Sequence, residues 1–480
     1  MQEIRILGRE KEVERLQQCL DTQEAQLVVV CGRRRIGKTF LINTFFNGRF
    51  DFKLTGVYRE PRETQLRNFI AELNRQTRQH LPPPQDWIQA FEMLREYLSS
   101  LPREEKKIVF LDEMPWLDTV RSGFLSAFEF FWNDFGCALP NLVLILCGSA
   151  TSWMQKRIAE NKGGLFHRQT CTLYLQPFTL HEVEAFLHER NIDWSRYDIA
   201  QCYMILGGIP YYWTMMRQNL SPSENIDQLF FRKRAELWEE YDDLYQTLHT
   251  NSQQYQLVME TLSRKRGGMT RSELAKVSGI PDNSVLTEIL EDLVASEFVR
   301  YAPFFGNKKK ETRYQVSDYY TLFYYRFVKD QAGRDECYWT HAYDNPSRRA
   351  WLGLTFELLC KDHLFQIRKA LGIGGVLAED STWFCRPDPE EPEDHGAQID
   401  LLIDRRDHVI NICEIKFSAD TFEIDSEYAM NIRRKIDAFQ KANKTKKTIQ
   451  FTMITSYGVK RNKYSAMVNS EVILDDLFAQ

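Results

Sequence analysis

The chain has 480 residues, too many for one ordinary hydrophobic core, so about three domains are expected. Hydrophobic residues make up 43% and charged residues 27%, which fits a globular chain and excludes a disordered or fibrous one. A formal net charge of −5 argues against permanent attachment to nucleic acid, so any such contact should be local or regulated.

No apolar run approaches the ~18 residues of a membrane helix. Met1–Leu20 is charged and amphipathic, unlike a signal peptide, and no membrane partner is expected. The ten cysteines are scattered, and Cys31, Cys147 and Cys413 sit inside apolar runs. They read as reduced, buried thiols of a cytoplasmic protein.

The first third alternates short apolar runs (Leu27–Cys31, Ile108–Leu111, Leu142–Cys147) with helical periodicity, which predicts a parallel sheet covered by helices. Between the first run and a helix beginning at Lys38 lies Gly32-Arg33-Arg34-Arg35-Ile36-Gly37-Lys38-Thr39. Glycines let backbone N–H groups turn inward around phosphates, and the helix N-terminus adds partial positive charge. Lys38 would neutralise the β- and γ-phosphates of ATP, and the Thr39 hydroxyl would ligate Mg²⁺. Phe40 follows on the helix and is counted with the nucleotide-binding residues. Arg33, Arg34 and Arg35 are expected to be partly solvated.

The second run ends in Asp112-Glu113, at the strand edge where parallel sheets bind ligands. Asp112 would hold the magnesium through water, and Glu113 would polarise the attacking water. The third run ends in Gly148-Ser149; Ser149 is a candidate to sense the γ-phosphate or position water, against the plainer reading of a strand-ending turn. Arg168 follows and is a candidate arginine finger reaching a neighbouring subunit's nucleotide, against a solvated or ion-paired arginine.

Leu7-Gly8-Arg9-Glu10, the arginine-rich loop, Leu111-Asp112-Glu113, Gly148-Ser149, Leu175-Gln176-Pro177-Phe178 and Gly207-Gly208-Ile209-Pro210 occur in the order of the archaeal-type AAA-like ATPases. The chain resembles that family, which is related to the signal-transduction (STAND) ATPases, over roughly its first 250 residues. The resemblance implies that Gly8 and Arg9 open the ATPase module near the adenine. It also implies that the Gly-Gly-x-Pro turn lies in a helical lid. The segment before Arg168 departs from the family in carrying His167 where glycine is more usual.

Met269–Ala275 opens with a Thr270/Glu273 capping box, and Gly279-Ile280-Pro281 separates it from a second helix, Asn283–Ser296. Strand-like Phe298–Tyr301 and Arg313–Val316 flank a basic tip, Lys308–Lys310, and complete a winged-helix pattern. Glu288 and Glu291 on the second helix would repel phosphates, so a packing or lever role is expected there before DNA reading.

The last region is mixed α/β, with an acidic, Pro-rich loop at Pro387–Asp394. Ala397–Ile403 and Val409–Phe417 form a hairpin turning at Arg405-Arg406-Asp407. Symmetry about Asp407 sets Asp400 opposite Glu414, with Cβ atoms ~4.5–5.5 Å apart. Lys416 lies one pleat away on the same face. Facing carboxylates need a cation or a proton between them. This is the Asp…Glu-x-Lys arrangement of the PD-(D/E)XK nucleases, and Glu357 on a preceding helix resembles that family's extra carboxylate. Archaeal-type ATPases carry such tails, which extends the resemblance over nearly the whole chain.

The expected architecture is therefore multidomain. It comprises an α/β P-loop ATPase core (1–180), a helical lid (181–250), a winged helix (251–330) and an α/β PD-(D/E)XK nuclease-like domain (335–480). The expected catalytic residues are Glu113, Ser149, Arg168 and Lys416. ATP would be held by Gly8, Arg9, Gly32 to Phe40 and Asp112, and metal by Thr39, Asp112, Glu357, Asp400 and Glu414. ATP and Mg²⁺ are the expected cofactors; DNA or another nucleic acid and further copies of the chain are candidate partners. The alternative is a signalling or scaffold switch whose tail binds without cleaving.

Overall fold

The structure, a computed structural model, describes residues 5–149, 151–159, 163–165, 168–246, 252–306, 312–331, 334–385 and 396–480. The basic tip Lys308–Lys310, the Pro387–Asp394 stretch and His167 lie outside the described residues. The chain divides into two compact units, Met1–Pro177 and Phe178–Gln480. Among the described residues no helix is long and apolar enough to cross a membrane.

The first unit is built on five parallel strands: β1 (Gln26–Cys31), β2 (Phe52–Thr55), β3 (Lys107–Asp112), β4 (Leu142–Cys147) and β5 (Cys171–Tyr174). Their order is β2-β3-β4-β1-β5. Every residue of β1, β3 and β4 is buried, as expected of central strands covered on both faces. The edge strands β2 and β5 alternate between buried and more exposed positions. Helices Arg62–Thr77, Trp87–Ser100 and Phe124–Asp134 cover one face, where Trp87, Phe91, Phe124 and Phe131 form an aromatic cluster. Lys107 enters β3 buried, with its Nζ donating to the carbonyls of Pro102 (2.8 Å) and Glu105 (3.2 Å), so its charge is solvated by backbone.

The second unit begins with helices from Leu180–Glu189 to Glu236–Gln246. The break between them needs glycine for a steric reason. A Cβ on Gly208 would sit 1.9 Å from the Phe178 carbonyl oxygen, and the Phe178 N–H donates to the Gly208 carbonyl at 2.7 Å. Helices Arg271–Ser278 and Ser284–Ala295 follow, the first closed by the Thr270/Glu273 capping box and the second capped by Asn283. A three-stranded antiparallel sheet of β6 (Met269–Thr270), β7 (Val299–Ala302) and β8 (Arg313–Val316) packs beside them in the order β6-β8-β7.

The rest of the unit holds a mixed sheet of β9 (Ala378–Cys385), β10 (Ala397–Arg405), β11 (Val409–Lys416), β12 (Thr448–Thr455) and β13 (Ser470–Ile473), ordered β13-β12-β11-β10-β9. β9, β10 and β11 pair antiparallel, and β11, β12 and β13 pair parallel. Helix Ser426–Asn443 supplies Ile432 and Phe439 to the core beneath Ile399, Ile410, Ile412 and Met453. Segment Pro303–Phe305 joins this sheet at its edge, where Thr382 N–H donates to Pro303 and Phe305 N–H donates to Thr382.

Candidate functional site

In the first unit, β1 runs into Gly32, whose φ of 147° belongs to glycine, and a Cβ there would approach the Leu175 carbonyl oxygen to 2.8 Å. Gly37, at φ 94°, caps the helix Lys38–Phe45. The loop therefore ends on a helix N-terminus at the C-terminal edge of the sheet, the geometry that binds phosphate. The Lys38 side chain is buried and folds onto the loop, its Nζ donating to the carbonyls of Gly32 (2.7 Å) and Arg33 (2.9 Å).

The Thr39 hydroxyl donates to the Asp112 carboxylate, with its oxygen 3.0 and 3.2 Å from the two carboxylate oxygens. Burial, then the neighbouring charge of Glu113, pushes the Asp112 carboxyl above its usual range. A hydroxyl and a carboxylate thus converge beside the phosphate loop with no basic partner on the carboxylate among the described residues, a donor set that suits Mg²⁺. Glu113 stands next in a left-handed conformation, φ 48° and ψ 45°, which non-glycine residues avoid. Its Oε2 accepts from the Ser149 hydroxyl at 2.8 Å and the Ser149 N–H at 3.1 Å. Strand β4 thereby holds the carboxylate emerging from β3.

Several expected nucleotide residues have other contacts. Arg9 is buried, and its guanidinium donates to the carbonyls of Ile36 (3.3 Å) and Gln176 (2.8 Å), so it braces the phosphate loop against the segment after β5. Gly8 precedes it at φ 62°. Arg33 is buried, contrary to the expectation of partial solvation. Arg34 and Arg35 are half-buried, Arg35 with φ 67°, and Phe40 is 51% exposed. Arg168 is exposed, and its described hydrogen bond is that of its backbone N–H to Leu165.

In the second unit, the β10–β11 register runs Leu401↔Cys413 to Asp404↔Ile410, and one further step sets Asp400 opposite Glu414 as the hairpin symmetry predicts. A bulge lies at the same place. Pairing with β9 shifts between Ile399↔Trp383 and Leu402↔Ser381, so Asp400 and Leu401 together face Thr382. Asp400 is buried, and its Oδ2 accepts from the Ile415 N–H at 3.3 Å. Burial, then the charges of Glu357 and Glu414, pushes its carboxyl up to about 7.

Glu414 has a different environment. Burial works against its charge, but Lys416 (3.1 Å) and Lys435 (2.8 Å) pair with it and the Tyr428 hydroxyl donates to it at 2.8 Å; its pKa falls below the usual carboxylate range. Glu357, on helix Pro346–Asp362, pairs with Arg266 at 3.0 Å. Among the described residues no three His, Cys, Asp or Glu side chains converge as a metal cage. The expected trio of Glu357, Asp400 and Glu414 is therefore not assembled as a ligand set, because cations already engage two of its members. Tyr428 and Lys435 were missed in the sequence; their seven-residue spacing on one helix is a signal, but their convergence on Glu414 depends on packing.

Residues 6–216 match a family described as an ATPase domain predominantly from Archaea. The chain is 24% identical over 400 residues to an uncharacterized protein of Methanocaldococcus jannaschii, covering 83% of this chain and 84% of that protein. Among solved structures, a Walker-type ATPase of Pyrococcus abyssi is 20% identical with a TM-score of 0.48, covering 67% of this chain and 96% of that one. Cdc6p of Pyrobaculum aerophilum is 14% identical with a TM-score of 0.36, covering 75% and 95% respectively. The family match spans the phosphate loop after β1 and the Asp112-Glu113 pair after β3, so over residues 6–216 the chain is similar to an ATPase domain found predominantly in Archaea.

Proposed function

We propose that the chain binds Mg·ATP at the Gly32–Thr39 loop, hydrolyses it, and couples nucleotide state to a C-terminal nuclease-like effector acting on nucleic acid. For the first step, Lys38 exchanges its loop carbonyls for the β- and γ-phosphates, while the Gly37–Thr39 N–H groups face the phosphate oxygens. Thr39 would ligate the metal and Asp112 would hold it through water. The ion would offset charge on the phosphates and orient the terminal one. Glu113 takes the proton of the attacking water, and Ser149 fixes the carboxylate that does so. Arg168 would act as a finger on a neighbouring copy's nucleotide.

For the effector, the lid is assigned to 181–250, the winged helix to 251–330 and the nuclease-like domain to 335–480. The observation supporting it is the bulged strand that sets Asp400 opposite Glu414 beside Lys416. Asp400, crowded by two carboxylates and held up to about 7, is a site that a cation would relieve. Mg²⁺ needs only one or two carboxylates plus waters, so Asp400, Glu414 and the Ile415 carbonyl would suffice. Bound there, the ion would polarise a phosphodiester and lower the pKa of an attacking water. Lys416 would orient that water or offset charge on the phosphate. A cytoplasmic setting in DNA processing or in defence against foreign DNA suits this chemistry.

A second reading is favoured by the two lysines on Glu414: the tail is an inactive fold that binds or oligomerises, and the chain is an ATP-driven switch. Incubating pure protein with single- and double-stranded DNA and RNA, with Mg²⁺ or Mn²⁺, with and without ATP, separates the two. Cleavage of any substrate supports the effector; intact substrates in every condition support the switch.

A further inference from the structure

A cavity of about 560 Å³ opens within the second unit between the three-stranded sheet, helix Pro346–Asp362 and strands β9 and β10. One face of that helix lines it with Leu354, Glu357, Leu358 and Lys361, at the three- and four-residue spacing that puts side chains on one side of a helix. Asp400 lines it too, so the carboxylate aimed by the bulge is reached through this opening. Asp400 spends Oδ2 on the Ile415 N–H, and its other oxygen has no hydrogen bond among the described residues.

The walls are basic. Arg264, Lys265, Arg266, Arg313, Arg326 and Lys361 line the cavity against the two carboxylates Glu357 and Asp400. Some of these cations are spent on carboxylates elsewhere, Arg264 on Glu260 and Lys265 on Glu273. Two are not. Lys361, half-buried, has no hydrogen bond or ion pair among the described residues; burial followed by the charge of Arg300 lowers its pKa, against the longer-range pull of the Glu357 and Asp400 carboxylates. Arg326 is exposed, and its described contact is with the ring of Phe327. A half-buried ammonium that no carboxylate pairs with directly is stabilised by an anion that visits it.

The wall also carries an aromatic platform. Phe384 is 39% exposed, rests edge-on against Phe304 at 4.9 Å, and lies under the Arg313 guanidinium at 5.7 Å. Unpartnered cations plus an exposed, backed ring are the elements that hold unpaired nucleic acid, the cations taking phosphates and the ring a base. The floor argues for an unpaired strand over a duplex. Asp400 is 7% exposed, and a volume of this size takes one or two nucleotides rather than a duplex.

We propose that this cavity admits an unpaired nucleic-acid strand, with a phosphate on Lys361 and Arg326, a base on Phe384, and the chain directed toward Asp400. The proposal rests on the nucleic-acid reading of the site above and names the form of substrate that enters it.

The test is fluorescence anisotropy on the full chain in EDTA, so that binding is read without cleavage. The probes are a labelled single strand, a blunt duplex of the same length, and a mononucleotide as competitor. The single strand should bind about tenfold or more tighter than the duplex, and Lys361→Ala and Phe384→Ala should each weaken it about tenfold. Lys361→Arg, which keeps the charge, should restore most of the binding, guarding against a folding defect in the alanine variant. A duplex bound as tightly as the strand, or both alanine variants binding like wild type, overturns the proposal. So does a mononucleotide that competes as well as the strand, which would make the cavity a small-ligand site. Strand binding through these residues without cleavage in Mg²⁺ would uphold this proposal while removing the nuclease reading.

Discussion

Ser149 holds Glu113 by one carboxylate oxygen, donating its hydroxyl at 2.8 Å and its backbone N–H at 3.1 Å to Oε2. The contact ties the ends of two adjacent strands and keeps Glu113 in its strained left-handed conformation. A carboxylate so placed has one oxygen fixed and one left for a water. Glu113→Gln should keep ATP binding and slow turnover by ~10²-fold or more, the range for losing a positioned base. Ser149→Ala removes the hydroxyl but keeps the N–H, so its loss should be smaller, about tenfold in kcat, with Kd for ATP unchanged. Steady-state turnover beside equilibrium binding reads both. A Ser149→Ala enzyme with normal kcat would make the contact merely structural.

Arg168 is exposed, which the proposed finger role requires. Arg168→Ala should retain nucleotide and lose hydrolysis. Mixing it with Glu113→Gln should partly restore turnover, because one interface then regains an intact pair. Normal turnover in Arg168→Ala alone removes the finger role.

On the proposed nuclease reading, variants of Asp400 and Lys416 would separate metal binding from chemistry. Asp400→Ala should abolish both divalent-cation binding and cleavage while ATP turnover persists. Lys416→Ala should bind the metal, and more tightly than wild type, because it frees Glu414 of one of its two cations. Cleavage should be lost. Calorimetry with Mg²⁺ or Mn²⁺ is the check, and no heat of binding to the wild type at millimolar concentration contradicts the metal site.

His363 makes an acid-sensitive joint inside the second unit. Its Nε2 accepts from the Leu180 N–H at 3.2 Å, so the ring is neutral and Nδ1 donates to the Leu359 carbonyl at 2.9 Å. Burial lowers its pKa, against the opposing hydrogen bond to the Leu359 carbonyl and the charge of Asp362. The unfolded chain, with an ordinary value near 6.5, therefore takes up the proton first. Stability is full above that value and falls as the pH drops toward the lowered folded value, by up to about 1.4 kcal/mol per pH unit. His363→Gln, which cannot titrate, should narrow its stability gap to wild type on acidification. Urea midpoints near neutral pH and about one and a half units lower would show it; an unchanged gap contradicts the assignment.

The central strands and the phosphate loop were legible because β1, β3 and β4 are buried on both faces and so read as unbroken apolar runs. The edge strands β2 and β5, with alternating exposure over four residues each, carried too little pattern. The hairpin register followed from counting about Asp407, but the bulge beside Asp400 did not, since it is defined by β9, a strand paired from the other side. Arg9 read as a nucleotide residue. Its grip on Ile36 and Gln176 spans 27 and 167 residues, and such a contact exists only once the sheet closes. Lys361 was invisible for the same reason, because its place on the cavity wall is a property of the packed unit.

ATP binding and hydrolysis at the Gly32–Thr39 loop underlie every proposed role of this chain. Lys38 now spends its ammonium on two loop carbonyls, a place that the phosphates would take over. The most direct measurement is calorimetric titration of Mg·ATP into wild type and Lys38→Ala, with phosphate release followed on the same samples. The account predicts binding and turnover in the wild type and neither in Lys38→Ala. Equal affinity and equal phosphate release in the two proteins would contradict it.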